Sequence, residues 1–255
     1  METKILKPLP LFTMGYDKIK SLIINGTLIP GQRLTDKQLS NLLGISRTPV
    51  REAVRILCQE GLLVGEDGIL TVYEPTPKDL GEIYTVRASL EGLALSIIVA
   101  RGIHEQFADE LQEYVDISLA AERSRDYDRV AECNRRVHSR IIEASENQLI
   151  AEQMKTINEK MHLFRRLSLK QDTHVKISII EHQELVKKLR KGNTLECRYL
   201  LEKHIIHAGN GLFWELINVS AFKDTGCKPI GDYFEMMIKL FDNDFSGTPL
   251  KSTQI

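Results

Sequence analysis

The feature that most constrains the fold of this chain is a pair of short amphipathic helices joined by a tight turn near the N-terminus. Thr35 is followed three residues later by Gln38, which has the form of a capping box, and three leucines then supply the apolar stripe of a helix predicted at 36–43. Gly44-Ile45-Ser46 makes the turn, and Ser46 is placed to cap a second helix that ends at Gly61. The pattern therefore predicts two helices in close succession.

The segments on either side complete a small domain. Apolar residues at helical spacing predict a further helix at 11–25, which the Asn25-Gly26 pair ends. Residues 62–73 are rich in β-formers on both sides of Gly65-Glu66-Asp67-Gly68, which predicts a hairpin with a glycine turn. We therefore expect a winged helix-turn-helix domain at residues 1–75.

The helix that follows the turn has two chemically different faces. Arg47, Arg51 and Arg55 recur every fourth residue and share one face, while apolar side chains cover the opposite face. Arginine forks on such a face can pair with guanine edges in the major groove of DNA. The alternative is an ordinary solvated face on which Glu52 pairs with Arg55 or Arg51.

The rest of the chain reads as helical almost throughout. Thr76 starts a capping pattern with Pro77 at the first helical position. We predict helices near 77–101, 104–123, 126–144, 147–169, 173–191 and 194–217. The expected fold is mainly α, with the winged domain followed by an all-α bundle at 76–222. Residues 223–255 form a C-terminal extension of unknown role, with one possible short helix at 232–241.

Composition points to a reduced, cytoplasmic protein. The 34 basic and 35 acidic residues nearly cancel, so any DNA-binding surface must be local. The four cysteines form no CxxC pair, and no apolar N-terminal stretch resembles a signal peptide. The apolar run at 93–100 is far shorter than the roughly 20 residues that span a bilayer, so no membrane segment is expected.

The N-terminal segments closely resemble the DNA-binding domain of the GntR regulators across residues 15–75. The resemblance is carried by Pro30-Gly31-Gln32-Arg33-Leu34, by the 39–43 leucine segment, by Gly44–Ala53 and by Glu60-Gly61-Leu62. It implies a double-stranded DNA operator as partner, with contacts from Lys37, Arg47, Thr48 and Arg51. The wing departs from the family because its tip carries Glu66 and Asp67, which would repel phosphates, so a wing contact is expected only through the backbone at Gly68.

Three later segments resemble the all-helical FCD effector domain of the FadR subgroup, across roughly residues 77–215. They are Val86–Ala94, Asn134–His138, and Glu181-His182 with the following Leu185–Asn193. In metal-binding members, an Asp or Asn and three histidines hold one divalent ion at the centre of the bundle. The resemblance places these ligands at Asn134, His138, His182 and His204.

Spacing supports the same metal site. Asn134 and His138 are four residues apart on one helix, and His182 and His204 lie on two helices that flank the Gly192-Asn193 turn. Three imidazoles and an amide favour zinc or another late metal such as nickel, with manganese as a further candidate. The alternative is that the histidines are hydrogen-bonded core residues. His207, one turn after His204, is either a competing metal ligand or a residue that supports the ligands without binding the ion.

Four neutral ligands would leave the full double charge on the ion, which favours a small carboxylate effector. The resemblance places Arg87 where relatives clamp such a carboxylate, although Arg87 could instead form a salt bridge with Glu91. It also implies a homodimer in which effector binding shifts the two DNA-binding heads. Two alternatives remain: the same regulator with a metal-free helical domain, and a metal-dependent enzyme, for which no nucleophile or base shows a telling spacing.

Overall fold

A computed structural model of the chain describes residues 10–66, 68–167 and 175–218, together with residues 236, 237 and 239. The chain divides into two compact units, Met1–Pro75 and Thr76–Ile255. Most of the C-terminal extension lies outside the described residues. Of the short helix predicted at 232–241, only residues 236, 237 and 239 are described, and they are helical. Met237 packs against the core of the second unit.

In its described residues, 10–66 and 68–75, the first unit contains three helices and a three-stranded sheet. Its elements are α1 (Leu11–Ile24), β1 (Arg33–Leu34), α2 (Asp36–Leu43), α3 (Arg47–Gln59), β2 (Leu63–Glu66) and β3 (Ile69–Val72). β3 lies between the other two strands and is antiparallel to both, with Thr71 opposite Arg33 on one side and Val64 on the other. The wing hairpin is thus extended by β1, a two-residue strand that the sequence pattern did not predict.

Local chemistry explains the ends of the helices in this unit. The Thr35 hydroxyl accepts a hydrogen bond from the backbone N–H of Gln38, and the Gln38 side-chain oxygen accepts one from the backbone N–H of Thr35. Both halves of the predicted capping box therefore form. Gly44 ends α2 with φ of 66°, a left-handed conformation that favours glycine. Ser46 occupies the N-cap position of α3, but its side chain makes no capping hydrogen bond, so this part of the prediction was wrong.

The second unit is a bundle of helices. The described helices are α4 (Pro77–Ala100), α5 (His104–Arg123), α6 (Tyr127–Ala144), α7 (Gln148–Leu167), α8 (Val175–Leu189) and α9 (Thr194–Asn218). Where both sides of a helix end are described, the end lies within one residue of the predicted one, except that α8 ends at Leu189 against the predicted 191. Thr76 and Asp79 form a second capping box in front of α4, with Pro77 at its first position as predicted. The mainly α fold with a small β wing is confirmed.

The helix α4 runs through the bundle and contacts α9, α6 and α7. By length and composition α4 could span a membrane, since its most apolar 18 residues have a mean hydropathy of 1.5. The apolar part of α4 is therefore longer than the eight-residue run at 93–100 identified in the sequence. Half of that window is buried inside the protein, and the core helix of a helical bundle has the same composition. The hydropathy of α4 is thus only a weak indication of a membrane span.

Candidate nucleic-acid interface and metal centre

The recognition-helix prediction concerns α3, which has one buried face and one exposed face. Its buried residues are all apolar and are Val50, Ala53, Val54 and Leu57. The side chains of Arg51 and Arg55 are 68% and 71% exposed, and Arg47 is also exposed. A cationic face therefore points away from the core of the first unit, which is what contact with a DNA groove requires.

The acidic partner of Arg51 differs from the one considered in the sequence, whereas that of Arg55 is one of those considered. The Arg51 Nε atom donates to Asp36 Oδ2 on α2 at 2.8 Å. Glu52 approaches Arg55 instead, with 3.8 Å between the nearest nitrogen and oxygen and both side chains mostly exposed. An exposed pair at that distance is weak, so Glu52 leaves the cationic face largely free.

The other three predicted DNA contacts are exposed as well. Lys37 lies on the first turn of α2 and Thr48 on the first turn of α3. Gly68 lies in the turn between β2 and β3, with φ of 77° and open space where a Cβ would project. A DNA backbone could approach Gly68 closely for this reason. Asp67, at the acidic tip, lies outside the described residues, so the expected repulsion stays a prediction.

In the second unit, three buried histidines converge from three helices. His138 lies on α6, His182 on α8 and His204 on α9, and one ring nitrogen of each lies within 4.8 Å of the others. The Nε2 atoms of His138 and His204 are 3.2 Å apart. Two nitrogens bound to the same zinc ion, at about 2.0–2.1 Å each, are separated by roughly 3.3 Å in a tetrahedral site. The spacing therefore suits a shared ion.

Two carboxylates, the buried Glu91 and the partly exposed Glu181, orient two of these rings. Glu91 on α4 accepts a hydrogen bond from His138 Nδ1 at 2.5 Å, and Glu181 on α8 accepts one from His204 Nδ1 at 2.6 Å. An ionised carboxylate can only accept, so each Nδ1 carries the ring proton. In a neutral ring that carries its proton on Nδ1, the Nε2 atom is unprotonated, and the Nε2 atoms of His138 and His204 face each other. Carboxylate–histidine pairs of this kind hold metal ligands in place.

Burial favours the neutral form of two of the rings, His138 and His182. Burial lowers the pKa of His138 to about 4, and Glu91 only partly opposes this. Burial, together with nearby positive charge, lowers the pKa of His182 well below its usual value. The buried His182 Nε2 atom has no hydrogen-bond partner among the described residues. One ring nitrogen of each histidine thus lies close to the other two, and a divalent cation between them could bind all three.

The carboxylates change the charge expected for the site. Burial would raise the pKa of Glu91, but Arg87 and His138 outweigh this effect and lower it to about 2. Hydrogen bonds from His204 and His207 likewise outweigh burial at Glu181 and lower its pKa to about 2. Arg87 offsets the charge of Glu91, whereas Glu181 adds one negative charge. The surroundings of the histidine cluster are thus less positive than four neutral ligands alone would leave them, and the full double charge on the ion stays a prediction.

Asn134 and Arg87 have partners of their own. Asn134 Oδ1, one turn before His138, accepts a hydrogen bond from Ser178 on α8 at 3.0 Å. A carbonyl oxygen has a second lone pair, so its role as a fourth ligand stays a prediction. Arg87 is buried and its Nε donates to Glu91 at 2.6 Å, which is the salt bridge that the sequence left open as an alternative.

A cavity of about 340 Å³ opens beside His138. Its charged lining consists of three cations, Arg87, Arg135 and Lys155, and two acids, Glu91 and Glu143, and His138 and His162 also line it. The sequence pattern did not point to Arg135, Lys155 or His162, because residues on α6 and α7 meet only through the packing of these helices. A second cavity of about 400 Å³ lies on the side of His204 and is lined by Glu181, His207 and Trp214 among others.

Sequence reasoning also missed the role of Glu181 and left His207 undecided. Glu181 Oε1 accepts from His207 Nδ1 at 2.9 Å, while its other oxygen binds His204. His207 therefore contacts the ligand-orienting carboxylate rather than the histidine cluster. The only signal in the sequence was that His204 and His207 are three residues apart, on one helical face.

Comparison with known proteins gives the same division into two domains. The family model for bacterial regulatory proteins of the gntR family matches residues 14–71, and the FCD domain model matches residues 82–207. An uncharacterized HTH-type transcriptional regulator of Bacillus subtilis, YdhC, is 27% identical over 205 residues, which cover 80% of this chain and 92% of the relative. The Escherichia coli HTH-type transcriptional regulator McbR is 30% identical over 157 residues, or 61% of this chain and 71% of McbR. The solved structure of E. coli McbR/YncC superposes with a TM-score of 0.61 at 25% identity, covering 81% of this chain and 99% of that one.

Proposed function

Because this chain belongs to the GntR family of bacterial regulatory proteins and carries an FCD domain, we propose that a small carboxylate effector, bound at a divalent metal centre, changes its affinity for an operator. The chain is a transcriptional regulator and not an enzyme, since its domains and relatives are those of transcriptional regulators. The observation that carries the proposal is the convergence of His138, His182 and His204, with a cavity beside His138 that Arg87, Arg135 and Lys155 help to line.

The proposed metal ligands are the three histidines, with Asn134 as the fourth. Glu91 and Glu181 hold two of the rings in the tautomer that presents Nε2. A metal ion held there would supply a Lewis-acidic position for a ligand oxygen. Imidazole nitrogens favour zinc or nickel over the harder cations, and manganese is the less favoured candidate.

The proposed effector is a small molecule with at least one carboxylate. Arg87 is buried in the cavity wall, and Arg135, Lys155 and His162 line the same cavity. Lys155 has no ion pair in the described part of the chain, so its charge is free to attract an anion. We propose that Arg87 binds the effector carboxylate. Glu91 accepts from its Nε atom, and the two terminal nitrogens lie farther out along the guanidinium.

The proposed operator contacts are Lys37, Arg47, Thr48, Arg51 and the Gly68 backbone. All five residues are exposed, and they lie on α2, on α3 and in the turn of the wing. We also propose that the chain acts in the cytoplasm as a homodimer, because paired helix-turn-helix heads read two half-sites of one operator. The binding of effector and operator is then thermodynamically linked. If the effector changes the operator affinity by a given factor, the operator changes the effector affinity by the same factor.

The experiment begins with metal content. Purified protein is exposed separately to zinc, nickel and manganese, desalted and measured by mass spectrometry, with one ion per chain as the expected result. Metal-loaded and chelator-stripped protein are then titrated against operator DNA with a panel of small carboxylic acids. We expect at least one acid to change operator affinity, and only in the loaded protein.

The metal-free reading makes the opposite prediction. If no metal binds in stoichiometric amount, the histidines are core residues and the helical domain senses another ligand or none. If metal binds but no acid changes operator affinity, the metal centre is supported and the carboxylate effector is not.

A further inference from the structure

An ion pair joins the two helices of the helix-turn-helix on their exposed side. Asp36 is the first residue of α2, and its Oδ2 atom accepts from Arg51 Nε on α3 at 2.8 Å. The Asp36 side chain is 27% exposed, against 68% for Arg51. The Asp36 carboxylate is therefore the less mobile partner. It binds the Nε atom of Arg51, and the terminal nitrogens of the guanidinium face solvent.

The atom that Asp36 engages determines what Arg51 can still do. A guanidinium has five N–H donors, and Nε supplies only one of them. The two terminal nitrogens have no other partner in the described part of the chain. They form the end of the fork that can bind O6 and N7 of one guanine in the same plane. The anchor also limits the many rotamers of a long side chain before DNA arrives.

The other two arginines of α3 are held less firmly. Arg55 reaches an acid only at 3.8 Å, and that acid is on its own helix. No ion pair engages Arg47 within the described ranges. Among the arginines of α3, Arg51 is thus the one oriented by an acid from another element, as a base-reading residue requires.

The charge of Asp36 has a second effect on DNA binding. Its side chain contacts Arg51, and Asp36 directly precedes Lys37 in the chain, so it is next to two of the proposed DNA contacts. Phosphates supply most of the binding energy for DNA of any sequence, and a carboxylate near them opposes that binding. An acid that helps one base contact and opposes phosphate contact raises the ratio of specific to non-specific affinity.

We propose that Asp36 determines operator specificity: it orients Arg51 so that the terminal fork reads one guanine, and its charge weakens binding to unrelated DNA. The proposal rests on the proposed operator contact of Arg51. Asp36 is a positioning residue in this scheme and contacts no base itself.

The test uses full-length protein and two duplexes of equal length at fixed salt. One duplex is selected from a random pool by the wild type, and the other is unrelated in sequence. We expect Asp36→Asn to bind the selected duplex about threefold to tenfold more weakly and the unrelated duplex at least as tightly as the wild type. Asp17→Asn, which removes an exposed acid from α1 of the same domain, should leave the ratio of the two affinities unchanged.

A double-mutant cycle shows whether Asp36 acts through Arg51. In an Arg51→Ala background, Asp36→Asn should cause no further loss on the selected duplex. An equal loss in both backgrounds, or an unchanged affinity ratio in Asp36→Asn alone, overturns the proposal. If Arg51→Ala keeps wild-type affinity for the selected duplex, the operator contact itself fails, and this inference fails with it.

Melting curves followed by circular dichroism check the fold of each variant. Should Asp36→Asn melt early, Asp36→Glu takes its place, because it keeps an acid in the first turn of α2 while moving the carboxylate relative to Arg51 Nε. It has to show the same loss on the selected duplex, and wild-type affinity there would contradict the positioning role.

Discussion

At the scale of single residues, Glu181 links two histidines of α9 through its two oxygens. We predict that Glu181→Gln lowers metal affinity about 10-fold to 100-fold, because the amide no longer fixes the His204 tautomer as an ionised carboxylate does. Competition with a chromogenic chelator measures the affinity. Glu184→Gln, a neighbouring acid on α8 that is 46% exposed, is the matched control and should bind metal like the wild type. Equal affinities for all three proteins would count against the role of Glu181.

The buried pair of Arg87 and Glu91 changes how Arg87 has to be tested. Removing Arg87 leaves Glu91, which is fully buried, without its cation. We predict that Arg87→Ala lowers the free energy of unfolding by about 3–5 kcal/mol, as for other broken buried pairs. Urea denaturation measures this loss, and Arg87→Ala combined with Glu91→Gln should recover part of it.

An effector experiment with Arg87→Ala alone would therefore confuse lost binding with lost folding. Arg87→Lys is the better variant, because it keeps a positive charge beside Glu91 and removes the planar fork. If Arg87→Ala unfolds at the wild-type urea concentration, Glu91 does not depend on this partner.

At the scale of elements, α3 is the candidate recognition helix. We predict that Arg47→Ala weakens binding to the operator by about 1–3 kcal/mol and leaves the melting temperature unchanged, since Arg47 is exposed and packs against nothing in the core. A gel-shift titration at fixed salt measures the effect. Arg136→Ala removes the same charge from an exposed position on α6 and should bind operator normally. Wild-type affinity in Arg47→Ala would refute the assignment of α3.

The helices were predictable because their signals are local. Capping boxes at Thr35 and Thr76, and glycines after the last apolar residue, mark helix ends whatever the rest of the chain does. The failures have an equally physical reason. β1 has only two residues and exists because β3 pairs with it. Ser46 has the right residue type for a cap, but its hydroxyl makes no such bond.

At the scale of the whole molecule, the prediction is a dimer on a symmetric site. One helix-turn-helix head covers few base pairs, so we expect a footprint with dyad symmetry and half-sites about one helical turn apart, roughly 34–36 Å. Chemical footprinting on a selected duplex gives the symmetry, and light scattering of the complex gives the number of chains. A footprint without a dyad, or one chain per duplex, would contradict the dimer.

The sequence by itself determined the domain types, the helix boundaries and the residue types of both candidate sites. Those features follow from periodicity, capping and spacing along one helix, as for Arg47 and Arg51 or for Asn134 and His138. Beyond the histidine cluster, which the family resemblance already indicated, only the tertiary structure decided which groups meet across elements. It placed Glu91 and Glu181 behind His138 and His204, and it paired Arg51 with Asp36 rather than Glu52. Such contacts depend on how helices pack, and packing is set by many side chains at once, so no spacing in the chain records it.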